Sequence, residues 1–236
     1  MNSDGTVVRC FQSIDAAKKA VDKSRNMSTE FSASGTTALL KTSEGLHQFR
    51  WDMRHEGVWD KDPSKSGRSG PLVAPGEYTA RFNVNGQTFH ETFTIKMDPK
   101  VAANGTTLAD LKAQESLNLK VRNQRSLAKQ TIRNIEKNKA QLAKTPLTQR
   151  SRAQQKQIEE LQNLADQFNT EKGRYQKPML LAQFRYLNYM IDAADQKPGA
   201  DAYTRLAELS ALLKKHVTTY RKIAKIKGGD TSDMKE

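Results

Sequence analysis

The sequence predicts an α+β protein, a small antiparallel β-sandwich followed by an up-down four-helix bundle. Three observations carry this. Short stretches of alternating apolar residues, each bounded by Gly, Pro or Asn, fill the first hundred residues. Apolar residues recur at steps of three and four through the rest. The charge changes at the same place: residues 1–106 hold 14 Lys+Arg against 12 Asp+Glu, and residues 107–236 hold 25 against 14. Two domains are expected, at 1–100 and 104–228.

Five strands are expected in the first domain. Thr6–Phe11 follows the turn dipeptide Asp4-Gly5, and residues 36–42 come next. The segment 46–53 places Leu46, Phe49 and Trp51 on the inward side with one slip in the alternation. Residues 76–84 follow the Pro75-Gly76 turn and place Tyr78, Ala80 and Phe82 inward. Residues 88–97 form the last strand, joined to the fourth by Asn85-Gly86, the strongest short hairpin signal. Phe49, Trp51, Tyr78 and Phe82 are the expected core. An insertion at about 14–35 contains a short amphipathic helix (Ile14–Ser24) and a polar loop. A second loop, Glu56–Gly70, is rich in Lys, Asp, Ser and Gly and reads as exposed and mobile. The single Cys10 cannot form an internal disulfide and is expected to be a buried, inert thiol.

Asp98-Pro99 ends the β half, because the residue before proline is driven to extended backbone. Gly105-Thr106-Thr107 offers a cap for a first helix at about 107–143, stopped by Thr145-Pro146. Further helices are expected at about 147–172, 178–195 and 200–227, the last two separated by Asp195–Gly199. Short connections make consecutive helices antiparallel neighbours. Residues 229–236 are expected to be disordered.

The strand Gly45–Arg54, of pattern G-x-x-x-F-x-W-D-x-R, followed by Pro75-Gly76-Glu77-Tyr78-Thr79-Ala80-Arg81, resembles a known arrangement. It is that of the small immunoglobulin-like domain near the C-terminus of large bacterial secreted proteins and in flagellar hook-capping proteins. With the helices included, the chain resembles the C-terminal region of bacterial sortilin-type or BNR β-propeller proteins, often labelled glycosyl hydrolases. The matching segments run in order: Asp4–Arg9, Gly45–Arg54, Pro75–Gln87, Lys96–Lys100 and Ala194–Pro198. His47-Gln48 stands where that family has Asn-Arg, and Lys100 where it has Arg. The resemblance implies an immunoglobulin-like sandwich with a helical bundle, a β-propeller domain or partner protein packed against it, and a periplasmic or secreted setting. The propeller itself is not within this sequence, and Met1–Gly5 has no signal-peptide pattern.

Candidate chemistry is sparse. A glycosidase needs two facing carboxylates. Asp52 is expected to order a strand end through backbone N–H groups or Arg54, and Glu56, Asp60 and Asp62 lie in the charged loop. His47, His55, His90 and His216 have no metal-ligand spacing. There is no G-x-S-x-G, G-x-x-x-x-G-K-[ST] or G-x-G-x-x-G. The expectation is therefore no catalytic residue, no metal and no cofactor. Two interaction features stand out. Trp59 in the polar loop can contact a partner or neighbouring domain, or pack locally. Arg122, Arg125, Lys129, Arg133 and Lys137 form a basic stripe on the first long helix, either a solvated face or a surface for an anionic ligand. That helix has no aromatic residue, and the aromatics of the later helices fall mostly at core spacings, which disfavours nucleic acid. The leading reading is a non-catalytic accessory region that packs against a propeller or partner. The alternative is a standalone module binding an anionic polysaccharide or nucleic acid.

Overall fold

The computed structural model describes residues 1–13, 39–62, 65–170 and 176–224. The expected helix Ile14–Ser24, the loop after it and the tail 229–236 lie outside the described residues. The chain is mixed α and β, with four long helices and a two-stranded antiparallel sheet. It divides into two compact units. Unit 1 is Met1–Leu119 with Ala194–Lys197, and unit 2 is Lys120–Ala193 with Pro198–Glu236. The division falls inside a helix.

In unit 1, β1 (Gln12–Ser13) pairs in parallel with β2 (Leu39–Leu40). The antiparallel hairpin β3 (Gly76–Val84) and β4 (Gln87–Ile95) turns at Asn85-Gly86. Both turn residues have positive φ, 49° and 81°, the geometry a two-residue hairpin needs for its strands to twist together. The expected strands at 6–11 and 46–53 form no ladder among the described residues. These segments are irregular and are held at single points. Met1 bonds both ways with Thr79, and the Glu56 N–H donates to Val8 O at 3.1 Å. Val8, Val73 and Tyr78 form a small core on which Trp51 and Ile95 pack.

Two expected core residues stand in solvent. Phe49 is 36% exposed and Phe82 is 44% exposed. Phe82 lies beyond the part of the hairpin that Val8, Val73 and Trp51 reach at Tyr78. Phe49 instead packs edge-on against Phe11, with ring centroids 4.6 Å apart, and Leu46 is exposed. Cys10 is exposed, not buried as expected, while Val8 two residues before it is the buried member of that segment.

The loop 56–70 is not loose among its described residues. The backbone hydrogen bonds Val73 N–H to Met53 O, His55 N–H to Pro71 O, Gly57 N–H to Gly67 O and Gly67 N–H to Val58 O staple its two arms. Gly57, Gly67 and Gly70 are buried where the arms meet, and a methyl group at Gly57 would lie 1.9 Å from the Arg68 carbonyl oxygen. This close approach requires glycine.

The helices follow the sequence closely. The short α1 (Pro99–Ala103) is capped by Asp98, whose carboxylate accepts from the Lys100 N–H at 2.8 Å. The 36-residue α2 (Leu108–Ala143) starts at a reciprocal cap, in which the Asp110 N–H donates to Thr107 Oγ1 and the Thr107 N–H and hydroxyl donate to Asp110 Oδ2. These bonds hold the Asp110 carboxyl below its usual pKa. A 3-10 turn (Leu147–Gln149) precedes α3 (Arg152–Asp166), which Ser151 and Gln154 open with a capping box. α4 (Leu180–Ile191) and α5 (Ala200–Ile223) complete the set. The core of unit 2 includes Val121, Ala128, Ile132 and Ile135 of α2, Leu161 of α3 with Phe168 just beyond it, Phe184 and Leu187 of α4, and Leu209 and Leu213 of α5.

Candidate interaction surfaces

In unit 1 the side chains meet around Trp51. Its indole N–H donates to Arg54 O at 3.0 Å, and its ring meets Tyr78 and Phe93 edge-on at 6.0 and 6.2 Å. The Tyr78 hydroxyl donates to Ala74 O at 2.6 Å. Burial, reinforced by the Glu115 carboxylate, pushes the Tyr78 pKa up to about 12. Two expected core residues, Trp51 and Tyr78, therefore belong to one aromatic cluster; Trp51 is half-buried and Tyr78 buried.

Asp52 orders its segment as its position suggests. It accepts from the Arg54 N–H at 3.3 Å and from Arg9 Nη1 at 2.9 and 3.2 Å. The backbone N–H bond is the one expected of Asp52; Arg9 adds a guanidinium from another segment, and Arg54 Nη1 donates to Gly70 O at 2.8 Å. Asp60 and Asp62 shape the loop: the Asp62 N–H donates to Asp60 Oδ1, and Lys65 pairs with Asp62. Trp59 is half-buried within that loop. His55, buried against the loop, meets Glu115 on the first turns of α2 at 2.5 Å. Among the described residues no three His, Cys, Asp or Glu side chains are grouped as a metal site would need. No helix of the described residues is long and apolar enough to cross a membrane.

In unit 2 the basic stripe is not one solvated face. Arg133 and Lys137 are exposed, but Arg122, Arg125 and Lys129 are half-buried. Arg122 holds the Asn123 side chain through Nε and Nη2. Arg125 turns toward α4, where Nη1 donates to Asn188 Oδ1 at 3.1 Å. The Arg125 Nε–H is buried and has no acceptor among the described residues. Loss of hydration lowers the Arg125 pKa, and the like charge of Arg185 on α4 lowers it further.

A signal for this was present in the sequence. Leu111, Gln114, Asn118, Val121, Arg125, Ala128, Ile132 and Ile135 alternate steps of three and four. That is the seam of a seven-residue repeat, and Arg125 sits on the seam itself. Tyr186 and Tyr189 on α4 were also misplaced by spacing alone. They are 65% and 70% exposed, because Leu180, Phe184, Leu187 and Ile191 already fill the buried side. Arg185 and Tyr189 are one turn apart, beside Asn188. No protein-family model, curated protein or solved structure matches this chain.

Proposed function

We propose that this chain is a non-catalytic accessory region that packs against a β-propeller domain or a partner protein. In this reading unit 1 is a reduced immunoglobulin-like sandwich and unit 2 an up-down four-helix bundle. The observation that carries it is the apolar face of the β3–β4 hairpin. Directly paired residues share a face, so Tyr78 and Phe93, Ala80 and Glu91, Phe82 and Phe89, and Val84 and Gln87 line one side, aromatic at two levels with a single carboxylate between them. Tyr78 is covered, by Val8, Val73 and Trp51, while Phe93 meets the Trp51 ring edge-on and stays 38% exposed. Phe89 is 54% exposed beside Phe82. A half-covered aromatic face is what a sandwich leaves when its second layer comes from elsewhere. The propeller as the source of that layer comes from the sequence resemblance. The lack of any nucleophile or phosphate-binding motif supports a scaffolding role.

The test is co-purification with a propeller domain encoded beside this chain. The wild type is expected to hold it, and Phe82→Asp with Phe89→Asp to release it while keeping the native circular dichroism. A genomic neighbourhood without a propeller, or retention unaffected by the double substitution, refutes the reading.

A further inference from the structure

Unit 2 holds two arginines that the scaffolding reading does not use. Among the described residues neither Arg125 nor Arg185 forms an ion pair. Arg125 is half-buried, its Nε–H lacks an acceptor, and its one hydrogen bond goes to a neutral amide, that of Asn188. Taking a guanidinium out of water beside a like charge is unfavourable unless an anion completes the site. The planar fork of arginine matches the oxygens of phosphate, and two arginines supply two forks.

The surroundings select the anion. Tyr186, Tyr189 and Met190 present an open aromatic and thioether surface on α4, one to five residues after Arg185. A flat phenol ring beside a cation suits a nucleobase stacked next to its own phosphate. A sulfated sugar can also lay a ring face on a tyrosine, and competition by heparin separates that occupant from a nucleobase. On α2 the cations continue past Arg125 at Lys129, Arg133 and Lys137, in steps of four residues, roughly 6 Å each. The sequence argued against nucleic acid because α2 carries no aromatic residue. The Arg125–Asn188 bond removes that objection by joining α2 to the helix that carries two exposed tyrosines. We propose that this face of unit 2 binds single-stranded nucleic acid, with phosphates on Arg125 and Arg185 and bases stacked on Tyr186 and Tyr189.

The test uses the full chain and a fluorescein-labelled oligothymidylate of about 16 nucleotides, read by fluorescence anisotropy at low salt. Binding is expected to weaken with salt, the logarithm of affinity falling about 0.7 per phosphate contacted for each decade. Tyr186→Ala and Tyr189→Ala are each expected to weaken it on the order of tenfold. Arg185→Gln is expected to reduce the salt slope by about 0.7. All three side chains are exposed, so these variants test the surface without disturbing the core; Arg125→Met, on the helix seam, is read beside them with circular dichroism. No anisotropy change at low salt overturns the proposal. So does binding that the two tyrosine substitutions leave untouched and heparin displaces equally well, since that is a polyelectrolyte effect alone.

Discussion

Gly57→Ala is the sharpest test of how unit 1 is held together. The added methyl carbon would lie 1.9 Å from the Arg68 carbonyl oxygen and 2.6 Å from its carbon. Ordinary contact begins near 3.4 Å, so backbone must retreat by roughly 1.5 Å. No rotamer change relieves this, because the obstacle is main chain. The retreat breaks Gly57 N–H to Gly67 O at 2.8 Å and Gly67 N–H to Val58 O at 3.1 Å. Each such bond contributes about 0.5–1.5 kcal/mol net, and buried partners left unpaired add desolvation, so the expected loss is about 2–4 kcal/mol. Gly76→Ala is the control, since a methyl group there meets nothing within 4 Å. Its expected effect is within about 1 kcal/mol. Both tryptophans of the chain, Trp51 and Trp59, lie in unit 1, so urea unfolding followed by tryptophan emission reports this unit. If Gly57→Ala unfolds at the same urea concentration as Gly76→Ala, the stapled loop is wrong and residues 56–70 are the mobile loop their composition suggests.

Three further outcomes are expected. Trp51→Ala removes an edge-on contact to each of two rings and a hydrogen bond to Arg54 O; it should cost about 2–4 kcal/mol, near the lower end for large-to-small changes because Trp51 is half-buried, and Trp59→Ala should cost less in the same denaturation assay. His216 is buried beside Phe168, and burial, with Lys215 adding repulsion, holds its pKa below 6.5. The unfolded chain therefore binds the proton more readily, so stability is full above pH 6.5 and declines as pH falls below it; His216→Leu should flatten that decline in thermal melts. Tyr78 is the opposite case in sign: its pKa is raised to about 12, so its contribution is intact below pH 10 and is lost as pH rises through 12, and Tyr78→Phe should remove that alkaline loss.

The helices were legible in the sequence because their signals are local. Steps of three and four residues, the Gly105–Thr107 cap signal, Thr145-Pro146 and the Asp195–Gly199 break place α2, α4 and α5 within a few residues of their observed ends. By contrast, α3 starts at Arg152 and not at about 147, behind a Ser151–Gln154 box that the apolar spacing does not reveal. Asn85-Gly86 fixed the hairpin for the same reason. The other strands were not legible, because alternation says only that one face is apolar and not whether a partner strand exists. Phe49 and Phe82 alternate correctly and still lie open. The loop 56–70 misled by composition: its Gly, Ser and Lys content reads as mobile, whereas its glycines serve close backbone contact. The interaction residues failed differently. Arg125 was read as part of a charge stripe, although the steps of three and four from Val121 to Ala128 place it on the buried seam.

That seam poses a question of its own. Gln114, Asn118 and Arg125 are the three polar members of a row otherwise filled by Leu, Val, Ala and Ile. Gln114 and Asn118 are buried. A polar residue on such a seam is satisfied in one register only, so it specifies how helices align, at some loss of stability. The Gln114 amide donates to Ala194 O at 2.6 Å, a carbonyl just past the end of α4, and so ties α2 to the connection after that helix. Arg125 fits an aligning role poorly. A neutral Gln at that position could bond Asn188 and set the register without bringing a charge out of water. The positive charge is therefore what alignment leaves unexplained. Arg185 sharpens the point, because a second cation nearby makes the charge of Arg125 costlier still. The proposed phosphate, held by Arg185 beside Arg125, would offset the like-charge repulsion between the two, while the buried Arg125 Nε–H would stay out of its reach.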